Sequence, residues 1–163
     1  MKPKGFTVIE LMVTLGIIAT LATVVVVAVL PARVTARDTA RRATLNEIGR
    51  LLWAGSCLVP AAGPGEYDLK QIYDEYVAAH PAAAAYVSKV PRDPKTGTDA
   101  VSGYRYIYDG DSGDCALYAN LERADAEVTL TTLDNPIAGG GTGVVRGQAK
   151  GPNGTDLYYQ VSR

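Results

Sequence analysis

At 163 residues the chain fits one ordinary domain plus an appendage. A formal net charge of −1 gives no bulk electrostatic reason to expect nucleic acid or an anionic membrane surface, and 47% hydrophobic with 20% charged residues is the composition of a folded protein. A single histidine, His80, argues against His-based catalysis and against a multi-His metal centre.

The first element is a run of apolar residues at 6–30 whose one charge is Glu10. As a helix rising about 1.5 Å per residue, it is long enough for the roughly 30 Å hydrocarbon core of a bilayer. A core helix of a soluble domain rarely stays apolar on every face for so long. An ordinary secretory signal has an uninterrupted apolar stretch and a small-x-small cleavage site after it. Here a carboxylate interrupts the stretch, no such site precedes Arg33, and a short basic leader abuts Phe6.

The string Lys4-Gly5-Phe6-Thr7-Val8-Ile9-Glu10-Leu11-Met12-Val13 closely resembles the class III signal of type IV pilins and type II secretion pseudopilins. The resemblance implies a leader at 1–5, removed between Gly5 and Phe6 by a membrane prepilin peptidase that also methylates Phe6. Glycine suits the cut because it leaves the backbone open. A carboxylate in hydrocarbon costs several kcal/mol on most scales, so it is usually paired. The resemblance gives Glu10 the amine of Phe6 on a neighbouring subunit as its partner; the plainer alternative is a solvated carboxylate at headgroup depth.

Residues 6–30 are then a transmembrane or filament-core helix, residues 31–54 an amphipathic stem, and residues 55–163 a globular head. Four arginines (33, 37, 41 and 42) follow the span and only Lys2 and Lys4 precede it, so a charge count alone would keep the C-terminal part inside. The family orientation is the reverse, with the leader in the cytoplasm. Leu45, Ile48 and Leu52 recur at helical spacing, while Arg37, Asp38, Arg41, Arg42, Glu47 and Arg50 are expected on other faces. One helix is predicted from Phe6 to about Trp53, ending near Gly55, with a break or kink at Pro31. The family places its helix-breaking proline where this chain has Val27.

Residues 59–65 read as a loop, and Asp68 as the cap of a helix sharing Leu69, Ile72, Tyr73, Tyr76 and Val77 on one face. Pro81 ends it, with a further turn or two over 82–87. Residues 104–108 alternate at strand period and 115–121 form a second strand, joined by the polar turn 109–114. Further strands are expected at 128–133 and 157–161, with a Gly-rich loop between them. The result is an α+β pilin fold: the C-terminal half of a long hydrophobic helix packed on a small antiparallel sheet. The segment Val90-Pro91-Arg92-Asp93-Pro94 also resembles the head of pilins and major pseudopilins.

Two cysteines in an exported chain point to a Cys57–Cys115 disulfide joining the end of the stem to the second head strand; in a cytosolic chain they would be buried thiols. Asp109, Asp111 and Asp114 offer hard oxygen ligands at a spacing that suits Ca²⁺, without the full EF-hand pattern; a solvated hairpin turn is the plainer reading. Tyr104, Tyr106 and Tyr108 fit sheet packing better than a surface stripe for DNA or a partner. Asn153-Gly154-Thr155 matches an N-glycosylation acceptor, and the Gly-rich loop lacks a P-loop pattern.

No catalytic constellation, cofactor or small-molecule substrate is implied. The implied partners are further copies of this chain, prepilin peptidase, an inner-membrane assembly platform and, before assembly, the cytoplasmic membrane. The implied role is a type IV pilus subunit for adhesion, twitching motility or DNA uptake; the alternative is a type II secretion pseudopilin.

Overall fold

The computed structural model describes residues 5–52, 56–82 and 89–163, with the side chains at 24, 26–28, 51 and 52 also outside the description. Residues 1–4 of the leader, the expected helix end at 53–55 and most of the extra turn at 82–87 therefore lie outside the described residues.

Helix α1 (Val8–Leu52) begins at Thr7 for a local reason. The Thr7 hydroxyl accepts from the Glu10 amide at 3.3 Å, and the Glu10 carboxylate accepts from the Thr7 amide at 2.8 Å. This reciprocal capping box satisfies two amide donors at the helix start. The hydroxyls of Thr14 and Thr20 donate back to the carbonyls of Leu11 and Ile17, both at 2.8 Å, so they need no outside partner. The break expected at Pro31 is absent: α1 runs through it without interruption. Proline removes one backbone donor, and the helical bonds on either side carry the element across.

The chain divides into two compact units, residues 1–36 and 37–163. In the first, the large apolar side chains of α1 are exposed, from Val8 (74%) to Leu30 (58%). The second unit contains the rest of α1, strand β1 (Gly65–Asp68), helix α2 (Leu69–Ala79) and strands β2 (Arg105–Tyr108), β3 (Cys115–Asn120), β4 (Gly143–Arg146) and β5 (Leu157–Ser162). The strands form one antiparallel sheet in the order β1-β2-β3-β5-β4. The fold is α+β, with an N-terminal helix packed on a five-stranded antiparallel sheet.

Period-two alternation sends Tyr106, Leu117, Ala119 and Val161 to the sheet face that meets Leu45 and Ile48 of α1. Leu69, Ile72 and Tyr73 of α2 complete that core. Asp68 caps α2 by accepting from the Lys70 amide at 2.9 Å, and the His80 amide closes its end on the Tyr76 carbonyl. A smaller cluster of Leu121, Val144 and Leu157 lies at the β4 side.

Three expectations need correction. Residues 128–133 are not a strand: the amides of Thr129 and Leu130 both donate to the one carbonyl of Val144, and the chain then turns. Two donors on one acceptor make no ladder. Strand β1 falls partly in the expected loop, and β4 follows directly on the Gly-rich loop. Both are four-residue edge strands containing glycine, so local propensity is weak and pairing with β2 and β5 decides them.

Candidate functional site

At the N-terminal end, Gly5 precedes α1 with open space around its Cα, and Phe6 is 86% exposed. Glu10 lies in the first turn of α1, its carboxylate taken up by the amide and hydroxyl of Thr7, each at 2.8 Å. The capping box thus engages the exposed Glu10 carboxylate four residues past Phe6. Among the described residues no helix is long and apolar enough to cross a membrane; four side chains of the apolar run, at 24 and 26–28, lie outside the description. Exposed aliphatic surface on this scale is covered in solution by lipid or by other chains.

In the head, the dominant feature is an ionic cluster that sequence reasoning missed. Arg41, expected on an outward face, is completely buried, and Asp38 is nearly so. Arg41 donates through Nε and Nη2 to Asp93 at 2.6 and 3.0 Å, and through Nη1 to Asp38 and Glu122, both at 2.7 Å. Arg37 grips Glu122 with two parallel bonds of 2.7 Å, and Lys95 approaches the same carboxylate at 3.5 Å.

The carboxylates are further held by backbone. Asp38 accepts from the amides of Glu122 and Arg123, and Asp93 from those of Lys95 and Thr96. A guanidinium with five donors in a fixed fork can serve three carboxylates at once, which an ammonium could not do in this geometry. Burial alone would raise the Asp93 carboxyl, but the bonds from Arg41 and the two amides outweigh it and bring it to about 2. Hydrogen bonds from Arg37 above all, then Arg41, overcome burial and bring Glu122 to about 2 as well. Asp93 and Glu122 therefore stay ionised through the whole neutral range. The cluster clamps α1 to the turn at Asp93 and to the exit of β3, which makes it an anchoring device rather than a reactive centre.

One sequence signal pointed that way. Asp38 and Arg41 stand seven and four residues before Leu45 on the same helical stripe. Nothing local, however, links residue 41 to residues 93 and 122.

Cys57 and Cys115 are bonded, with Cα atoms 5.8 Å apart, tying the segment after α1 to the start of β3. Asp109 does not join Asp111 and Asp114 in a metal-holding group; among the described residues no three His, Cys, Asp or Glu side chains form one. Its carboxylate instead accepts from the Asp111 amide at 2.9 Å and the Ser112 hydroxyl at 3.0 Å, closing the β2–β3 turn. Tyr104 and Tyr106 are buried in the core and Tyr108 packs against it, leaving no stripe for DNA. Asn153 is also buried, donating to the Asn120 carbonyl at 2.8 Å, so in the folded head its side chain is not open to a glycosyltransferase.

Gln160 was not anticipated either. Fully buried, it accepts from the Ile137 amide at 3.0 Å and donates to the Gly141 carbonyl at 2.9 Å. This pins the Gly-rich loop to β5, with Gly139 and Gly141 at φ of 73° and 84°, which glycine alone adopts freely.

A family model described as the prokaryotic N-terminal methylation motif matches residues 1–26. No curated protein and no solved structure was found to match the chain. The matched motif covers Gly5, Phe6 and Glu10 and ends inside α1, ahead of the α+β head. The chain therefore carries the N-terminal methylation motif that marks the class III signal of type IV pilins and pseudopilins, ahead of an α+β head consistent with a pilin fold.

Proposed function

We propose that this chain is a structural subunit of a type IV pilus. It is inserted in the cytoplasmic membrane as a single-pass precursor, cut between Gly5 and Phe6 by prepilin peptidase, methylated on Phe6, and polymerised with its own kind from an inner-membrane assembly platform. The observation that carries the reading is the methylation motif at 1–26, with its one carboxylate, Glu10, near the start of the otherwise apolar run at 6–30.

Cleavage creates an amine at Phe6. In a filament, that amine on one subunit meets Glu10 of another, so two charges costly in an apolar setting neutralise each other and set the register. The apolar side chains of residues 6–30 then pack helix against helix in the filament core. The ionic cluster holds each head to its own stem and the disulfide braces the head just past the stem, which suits a subunit that bears load. Residues 1–5 are the leader, residues 6–30 the core helix, residues 31–54 the stem and residues 55–163 the head.

The test is intact mass and N-terminal sequencing of protein from sheared cell-surface filaments. The expected product starts at Phe6, carries one added methyl group and lacks two hydrogens at Cys57 and Cys115. Recovery only from membranes with Met1 in place would overturn the proposal. Processed protein found only in short periplasmic filaments would assign the chain to a type II secretion pseudopilus instead.

A further inference from the structure

The face of the sheet turned away from the core carries two tyrosines that the interior does not use. Tyr118 of β3 and Tyr158 of β5 are half-buried neighbours, ring centroids 5.8 Å apart at 75°. Arg105 of β2 lies directly opposite Tyr118, and its Nε donates to Glu66 of β1 at 2.7 Å. These four side chains, with Val101 and Pro152, line an open groove of about 400 Å³. That volume is within the range of small-ligand sites.

The polar groups of the groove select what it takes. Asp68 is spent on the amides of Lys70, Ser102 and Gly103. Asn120 is spent on the backbone of Asn153, Thr155 and Leu157. Neither has capacity to spare for a cation. Glu66 and Arg105 are each 43% exposed; besides their ion pair both interact with the Tyr118 hydroxyl, and a carboxylate and a guanidinium still keep acceptor and donor capacity for a ligand.

Two carboxylates against one guanidinium leave the groove with an excess of negative charge, which disfavours phosphates, sialic acids and nucleic acid. What remains is a neutral molecule with an apolar face for the tyrosine rings and hydroxyls for Arg105 and Glu66. We infer that this groove is a binding site for a neutral saccharide, a hexose unit lying against Tyr118 and Tyr158. The site is built by the head alone and stands whether or not the chain polymerises; in a filament it would repeat along the surface and gain from avidity.

The test uses the full-length chain in a detergent without a sugar headgroup, probed by saturation-transfer NMR. The probes are the methyl glycosides of glucose, galactose, mannose and N-acetylglucosamine, with N-acetylneuraminic acid and a single-stranded oligonucleotide as competitors. At least one neutral glycoside should show transfer through its apolar face. Tyr118→Ala and Tyr158→Ala should each weaken it about tenfold, with near-UV dichroism confirming the fold. Tyr158→Phe, which keeps the ring, should retain most of the affinity and guards against an unfolded alanine variant. Absence of transfer from all four glycosides would overturn the inference. So would affinity unchanged in both alanine variants, or displacement by the oligonucleotide or the anionic sugar in preference to the neutral ones.

Discussion

Replacing Arg41 by leucine keeps much of the side-chain volume and leaves three carboxylates without their shared cation. The structure loses the two bonds to Asp93 and one each to Asp38 and Glu122. Glu122 keeps its two bonds from Arg37, and Asp38 keeps two backbone amides. Asp93, fully buried as a side chain, retains the two amides and the distant Asn153 amide group at 3.5 Å, with no comparable cation. Breaking a buried ion pair by removing one partner typically costs about 3–5 kcal/mol, and this site falls in that range. For a head of this size that lowers the melting temperature by roughly 10–20 °C.

The assay is thermal melting by near-UV dichroism of the detergent-solubilised full chain, disulfide intact. Adding Asp93→Asn to Arg41→Leu should recover about 1–2 kcal/mol, because the unpaired charge is gone while the amides still find an oxygen. The pH dependence has a definite sign. The Asp93 and Glu122 carboxyls are lowered to about 2, so their contribution is complete above the unfolded carboxylate range near pH 4 and is lost as pH falls toward about 2. In Arg41→Leu the Asp93 carboxyl protonates more easily, so the deficit against the native chain should narrow as pH drops through about 4. A loss below about 1 kcal/mol, or a deficit that does not narrow in acid, would refute the reasoning.

Opening the Cys57–Cys115 bond, across a separation of 58 residues, should cost about 4 kcal/mol in the chain-entropy model, read as a lower urea midpoint in reductant or in Cys57→Ser/Cys115→Ser. Gln160→Leu should cost about 1–3 kcal/mol by leaving the Ile137 amide unpaired, with faster hydrogen exchange over residues 137–141 while β2 and β3 stay protected. Glu10→Ala should insert in the membrane and be cut normally yet fail to give filaments; a normal filament yield would remove the pairing with Phe6. Thr7→Val should fray only the first turn of α1, costing about 1 kcal/mol of helix stability, since it opens the Glu10 capping box.

The readable parts were those written in local pattern. The apolar run, the basic leader and the lone Glu10 are contiguous, so their resemblance to the class III signal can be read without any fold. The α2 face and its Asp68 cap, and the β2–β3 hairpin with its Asp-rich turn, follow from periodicities of 3.6 and 2 and from turn chemistry. Residues 128–133 have a strand-like composition but no ladder partner, because the Thr129 and Leu130 amides share the one Val144 carbonyl. Strands β1 and β4 were missed for the converse reason: their partners, not their residues, make them strands.

The amino-acid sequence by itself carries the methylation motif at residues 1–26, the apolar run that the proposed function places in the membrane or the filament core, and the α+β class of the head, because each rests on neighbours along the chain. The tertiary structure alone decided that Arg41 is interior, that Asp93 and Glu122 are its partners, that Gln160 holds the Gly-rich loop, and that Tyr118 and Tyr158 face outward together. Those facts depend on residues separated by 19 to 81 positions or set on different strands. A buried charge is tolerable only where such distant groups converge, so its place is settled by the fold and not by the residue.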